Sequence, residues 1–242
     1  MTRTSIKRSI TDVKDVPYYG ENFPFIPWSW SARIKVSTVF SKHLYQKVGL
    51  WQFLQFWLLL PIRMPIALKR HKEGLNLMKQ SYSSLAKFQW LLLIIIYEYL
   101  EKRYNKTEAY AYAKAAIQDG SKIIMNELYQ ADTLAQFEDP YLAFWEYHKA
   151  MFKGDDNFPN ELVEEEGVKK MIVHDCRNCA IAKMTIPELA PLGCDHDITG
   201  FQAIADKIEM DFRRPTTLAK DGKPCEFMFF RKGTAPEGLE TK

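Results

Sequence analysis

Sulfur, imidazole and carboxylate gather in one stretch of this chain, from Lys169 to Lys232. All four cysteines lie there: Cys176, Cys179, Cys194 and Cys225. A thiol becomes a nucleophile when a base, a cation or a helix N-terminus lowers its pKa. Cys194 has such neighbours in the chain, Asp195, His196 and Asp197, and of these His196 and Asp197 are the candidate proton relays. Asp197 is also placed to cap a helix that follows it. His174 precedes Cys176 by two positions, so on a strand the two side chains share a face. There His174 either holds a thiolate or bonds the backbone. Arg213 and Arg214 can take a substrate carboxylate bidentately, or simply complement the end of a helix.

The same residues support a second chemistry. Cys176-x2-Cys179-x14-Cys194-x-His196 counts as a Cys3His set, which zinc accepts. Each cysteine is also a small apolar side chain that a core absorbs readily. The expectation is a site without a cofactor, with zinc on Cys176, Cys179, Cys194 and His196 as the alternative.

These residues need a frame, and the sequence predicts an α+β one. A mainly helical N-terminal two-thirds packs on a small C-terminal antiparallel sheet with one amphipathic helix. Residues 1–30 form an arm rich in aromatics (Tyr18, Tyr19, Phe23, Phe25, Trp28, Trp30) and punctuated by Pro17, Pro24 and Pro27. Residues 31–155 are the helical region. Helices are expected over 32–48, over 50–70 with a break or bend at Pro61 and Pro65, and over Glu73 to Lys102. Thr107 to Tyr129 gives an alanine-rich helix. Another follows the Asp139-Pro140 start signal, an N-cap oxygen before a proline at the first helical position.

The loop at Asp155 to Asn160 marks a boundary, and an acidic run from Glu161 to Glu166 comes next. The cysteine-containing region spans 161–232. Val168 to Val173 and Glu226 to Arg231 read as strands. Between them, Gly200 to Phe212 reads as a helix, because Phe201, Ile204, Ala205 and Ile208 fall on one face. Asp221-Gly222 is a hairpin-type turn. Residues 233–242 are expected to be a loose tail.

Several function classes recede at this point. A net charge of +3 and 26% charged residues give no basic stripe for nucleic acid. The apolar runs Leu50 to Ile62 and Trp90 to Leu100 are too short to span a bilayer, which takes roughly 18–20 residues. Residues 50–70 do suit a membrane surface, with Trp51, Trp57, Arg63, Lys69 and Arg70. No apolar stretch follows the basic start at Met1 to Arg8, so no signal peptide is read and the expected location is the cytoplasm. The expected partner is a small molecule; the oligomeric state is not encoded in any visible pattern.

One ordered set of residues resembles a known family. Cys176, then Cys194-x-x-Asp197, a helix, Thr217-Leu218, Gly222 and Cys225-x-Phe227-x-Phe229 is similar to the L-2-amino-thiazoline-4-carboxylic acid hydrolases. Those proteins have helical N-terminal regions before a small α+β part that ends in a T-L-x-x-G-x-x-C-x-F signature. Here the segment from Thr217 to the glycine is one residue longer. The resemblance covers roughly Val168 to Phe230. It implies hydrolytic opening of a small carboxylate-bearing cyclic amidine or thiazoline, or of a related ring in a biosynthetic pathway. Cys176, Cys194, Asp197 and His196 would carry the catalysis, and Arg213, Arg214, His174, Thr217 and Cys225 would bind substrate. A lyase or cyclisation step is a variant of that reading. The rivals are a zinc-dependent enzyme or zinc-stabilised module, and a non-enzymatic small-ligand-binding or sensor protein.

Overall fold

The computed structural model describes residues 7–20, 29–77 and 84–242. Phe23, Pro24, Phe25, Pro27 and Trp28 of the arm, and Met78 and Tyr82 of the expected Glu73 to Lys102 helix, lie outside them. Within the described residues the α+β expectation holds. Helices α1 (Trp30–Val48), α2 (Leu50–Arg70), α3 (Lys72–Asn76), α4 (Ser84–Arg103), α5 (Lys106–Leu128), α6 (Ala131–Leu134) and α7 (Pro140–Phe152) precede a four-stranded sheet. The sheet's strands are β1 (Asn160–Glu165), β2 (Val168–Val173), β3 (Met210–Arg213) and β4 (Cys225–Arg231). Helices α8 (Arg177–Thr185) and α9 (Ala190–Ala205) lie between β2 and β3 in the chain. The strand order is β1-β2-β4-β3 and every pairing is antiparallel.

Helix α2 runs unbroken through Pro61 and Pro65. The two prolines are four residues apart and both exposed. The carbonyls they leave without a helical donor therefore fall on the watered side, where solvent can satisfy them. Helix α5 is likewise continuous through Gly120. A Cβ at Gly120 would sit 3.1 Å from Phe40 on α1, so the missing side chain lets α1 and α5 close on each other. Gly200 does the same between α9 and α5: a Cβ there would lie 2.2 Å from Met125 Cγ.

Local structure adds to or departs from the sequence reading in several places. The acidic run after residue 160 is strand β1, with Glu164 paired to Lys169 and Lys149 and Glu165 paired to Lys170. The helix expected over Gly200 to Phe212 instead begins at Ala190 and ends at Ala205. Ile208 still enters the core, but Glu209 takes φ +52°, which breaks the helical path, and Met210 and Phe212 then alternate into the sheet. Of the helix expected from Glu73 to Lys102, α3 ends at Asn76 with Leu77 as its cap and α4 covers Ser84–Arg103, while residues 78–83 lie outside the described ones. The tail is not loose at its end: Lys242 N donates to Arg214 O at 2.9 Å, and Lys242 O accepts from the Arg214 guanidinium.

Residues 7–20 of the N-terminal arm contact the body. Arg8 bridges to Phe137, and the Tyr147 hydroxyl donates to Pro17 O at 2.6 Å. Two apolar clusters fill the interior. One joins α7, α9 and the sheet, centred on Phe144, Phe201 and Phe229. The other joins α1, α2, α4, α5 and α8. Cys176 and Leu218 pack against both clusters, which puts the chemical residues at the seam.

Candidate functional site

Helix α9 is the principal positioning element. Ala190, Gly193, Cys194, Asp197 and Phe201 recur at i, i+3, i+4, i+7 and i+11, a single helical face, and all of them line one cavity. The helix begins at Ala190 with Pro191 in its first turn and, unlike the helix after Asp139, has no side-chain cap. Because α9 begins at Ala190, Asp197 stands mid-helix and is not an N-cap.

Cys176 comes from the other side of the cavity. Strand β2 ends at Val173, and Cys176 is the N-cap of α8, its Sγ accepting from Cys179 N at 3.4 Å. Cys225 opens β4, and its Sγ accepts from Leu218 N at 3.3 Å. Cys176, Cys194, Cys225, His196 and Asp197 thus face one cavity of about 400 Å³.

Burial pushes all four thiols up from their ordinary value: Cys176 well above it, Cys225 to about 12, and Cys179 and Cys194 in the same direction. The Asp197 carboxylate adds to the rise at Cys176, Cys194 and Cys225. That shared influence places one carboxylate among three thiols. Opposing it, the Arg214 charge favours the thiolate at Cys194 and Cys225, and Thr217 hydrogen bonds to Cys194. The α8 N-terminus favours a thiolate at Cys176, but burial dominates, so the resting thiols are protonated near neutral pH.

Arg214 does not offer its guanidinium to the cavity. It is fully buried and ties three parts of the chain together. Nη1 donates to Asp197 Oδ2 at 2.9 Å, Nη2 donates to Cys194 O and to Lys242 O, both at 2.7 Å, and Nε donates to Lys242 O at 3.2 Å. A buried guanidinium with that many acceptors orients Asp197; it has no free fork for a substrate carboxylate. Arg213 lies on β3 and donates to Phe212 O. His174 is exposed, 2.9 Å from Glu161 Oε1. Neither lines the cavity. Thr217 is buried behind it, with Oγ1 accepting from Lys220 N at 2.9 Å, while its neighbours Leu218 and Ala219 reach the cavity wall.

His196 Nδ1 stands 3.4 Å from Asp197 Oδ1. Asp195 points elsewhere, toward Lys220 and Lys114. Asn178 also lines the cavity and accepts from Trp90 Nε1 at 3.3 Å; nothing in its local sequence marks it out. Among the described residues, no group of three or more His, Cys, Asp or Glu side chains is arranged to hold a metal ion.

Fold and site together define a helix-walled α+β protein with a partly open, largely apolar cavity that Cys176, Cys194, Cys225, His196 and Asp197 face. The chain belongs to the L-2-amino-thiazoline-4-carboxylic acid hydrolase family, whose match runs over residues 86–229. The match extends the resemblance upstream of Val168, through α5 and into α4. No curated protein and no solved structure matches the chain.

Proposed function

We propose that this protein hydrolytically opens a thiazoline-type cyclic amidine, with Cys176 as the nucleophile and Asp197 as the proton relay. The observation that carries the reading is the convergence of Cys176, Cys194, His196, Asp197 and Cys225 on one cavity in a member of this hydrolase family. Cys176 is preferred over Cys194 because it caps a helix N-terminus, with its Sγ accepting from Cys179 N.

The steps balance as follows. The Cys176 thiol adds to the ring carbon between nitrogen and sulfur, its proton passing to Asp197 and on to the ring nitrogen. Collapse of the adduct expels one ring heteroatom and opens the ring. Water, deprotonated by Asp197 or His196, then displaces Cys176 from that carbon, and the thiol regains its proton. Arg214 keeps Asp197 in place through these transfers and is a positioning residue.

The test is ring opening of a 2-amino-thiazoline panel by Cys176→Ala, Cys194→Ala, Cys179→Ala and Asp197→Asn, with folding checked by circular dichroism. Loss of a positioned acid–base group typically costs about 10²–10⁴ in rate. Cys176→Ala and Asp197→Asn should fall at least that far, while Cys179→Ala should stay within a few-fold. Wild-type turnover in both Cys176→Ala and Asp197→Asn would sink the mechanism.

We also propose contact with an anionic lipid surface through α2. No helix among the described residues is long and apolar enough to cross a membrane. Yet Trp51, Leu54, Leu58, Ile62 and Ile66 form an exposed apolar stripe. No Asp or Glu occurs between Glu21 and Glu73, while Arg33, Lys35, Lys42, Lys47, Arg63, Lys69, Arg70 and Lys72 do, of which Lys47 and Arg70 are paired with Glu108 and Glu98. That charge pattern favours a negative surface over a second copy, because a two-fold contact would set the same cationic face against itself.

A further inference from the structure

The cysteine cavity is walled upstream by Phe40 on α1, Trp57 on α2 and Leu93 on α4. A second concavity of about 870 Å³ lies apart from it, between α2 and the C-terminal half of α4. Glu98, Tyr99, Lys102 and Arg103 line it at i, i+1, i+4 and i+5 along α4. Arg63, Ile66 and Arg70 line it at i, i+3 and i+7 along α2. One face of each helix thus makes a wall.

The groove is cationic. Arg63, Arg70, Lys102 and Arg103 face two carboxylates, Glu98 and Glu101, which leaves two positive charges in excess. Glu98 is already engaged, by Arg70 at 2.7 Å and by His71 at 2.9 Å. Lys102 and Arg103 stand in the last turn of α4, where the helix dipole alone favours a cation. Arg63 has no such cause, because it lies in the body of α2. Among the described residues its guanidinium meets rings: 4.5 Å to the Tyr99 centroid and 5.4 Å to that of Phe56. A guanidinium stacked in this way keeps its N–H fork at the edge, where it can take two oxygens of one anion. The neighbouring stripe narrows the kind of anion. Ile66 belongs to both features: it continues the exposed run of Leu58 and Ile62, and it lines the groove. A molecule with its anionic head in the groove can therefore lay an apolar chain along α2 with no polar gap between. Two excess positive charges match a phosphomonoester, which carries about −1.5 to −2 at neutral pH, better than a headgroup with a single net negative charge.

We propose that this groove binds the phosphomonoester headgroup of an anionic lipid of the phosphatidate type. Arg63 is the bidentate anchor, Lys102 supplies a second cation from the α4 wall, and the acyl chains meet the α2 stripe. The proposal rests on the reading of α2 as a membrane-surface helix and adds to it a site and a headgroup preference.

Vesicle sedimentation tests it, on the full chain and on the variants Arg63→Gln/Lys102→Gln and Arg63→Lys, each checked for fold by circular dichroism. The probes are phosphatidylcholine vesicles carrying phosphatidate or, at matched surface charge, phosphatidylserine. Soluble glycerol phosphate is titrated separately by calorimetry. A charge-assisted hydrogen bond is worth about tenfold in affinity, so the wild type should bind phosphatidate vesicles at least about tenfold tighter than phosphatidylserine vesicles. The double variant should bring the two within about threefold. Arg63→Lys keeps the charge and removes the fork, and it should lose most of the preference as well. Equal affinity for the two vesicles in the wild type, or a preference that survives in the double variant, overturns the headgroup site and leaves the α2 surface contact standing. Absence of binding to either vesicle removes both. Glycerol phosphate bound as tightly as the phosphatidate vesicles overturns the lipid assignment, since the groove would then take a free phosphomonoester.

Discussion

Removing Arg214 tests the central positioning claim. In Arg214→Met the side chain stays large and apolar, but four hydrogen bonds vanish: to Asp197 Oδ2, to Cys194 O and twice to Lys242 O. Breaking a buried ion pair from one side costs about 3–5 kcal/mol. Asp197 keeps 27% of its side-chain exposure, and water reaching it offsets part of that, so about 3 kcal/mol is the expected loss of stability. Asp197→Asn alone leaves the Arg214 charge buried without its counter-ion, at roughly 2 kcal/mol. The double variant has no uncompensated charge and should fall short of the sum of the singles by at least about 1 kcal/mol. Urea unfolding followed by tryptophan fluorescence measures all four corners of the cycle. Additivity within about 0.5 kcal/mol would mean that the pair is not energetically coupled, and the positioning argument would fail. Thiol chemistry gives an independent readout. Arg214 holds the Cys194 and Cys225 thiols lower than burial alone would, so Arg214→Met should slow their reaction with an aromatic disulfide at pH 8.

Three further outcomes follow from named groups. His148 is fully buried with its Nδ1 2.7 Å from the Tyr129 hydroxyl, and burial lowers its pKa to about 3. Its stabilising contribution is therefore intact above about pH 6.5 and is lost as pH falls toward 3; by pH 5 the loss is about 2 kcal/mol. The urea midpoint of His148→Gln should vary less between pH 7 and pH 5 than that of the wild type, and an equal variation would refute the burial argument. The two glycines of α9 should respond with opposite signs. Gly193→Ala meets no atom within 4 Å and should stabilise by up to about 1 kcal/mol, whereas Gly200→Ala drives a methyl into Met125 and should destabilise by roughly 1–2 kcal/mol in thermal melts. Sedimentation with phosphatidylserine vesicles should pull down the wild type and not Trp51→Ser/Leu58→Ser, and should weaken as salt rises; equal binding to neutral vesicles would refute the electrostatic part.

The sheet was half legible. Strands β2 and β4 announce themselves because their β-branched and aromatic residues face the core. Strand β1 does not, because an edge strand can carry glutamates outward and satisfy them with lysines across the sheet. Strand β3 was hidden behind an amphipathic pattern that stays helical in spacing up to Ile208. Helix α9 stops at Ala205, and the left-handed backbone at Glu209 turns the chain into the strand; a glutamate is a poor advertisement for that conformation. The cysteines, His196 and Asp197 could be picked out as chemistry, since the four thiols are few and His196 and Asp197 stand beside one of them in the chain. Arg214 was visible as a cation, but whether it faced a ligand or the interior depended on Lys242, twenty-eight residues away. The upstream wall was the least legible part, because Phe40, Trp57 and Leu93 look like any helix core until the helices enclose a space.

That wall has a consequence for how the protein can change. The distance between the α5 wall and the α9 floor is set where Gly200 lets backbone meet Met125, and between α5 and α1 where Gly120 meets Phe40. Spacing is thus held by two bare backbone positions, while the volume left over is trimmed by side chains on α1 and α4 that touch no part of the thiol cluster's hydrogen bonding. On the proposed reading, the groups that do the chemistry and most of those that shape the remaining space stand on different elements. A new preference can be written into α1 and α4 by exchanging large residues for small ones, with the machinery on α8, α9 and β4 left as it stands.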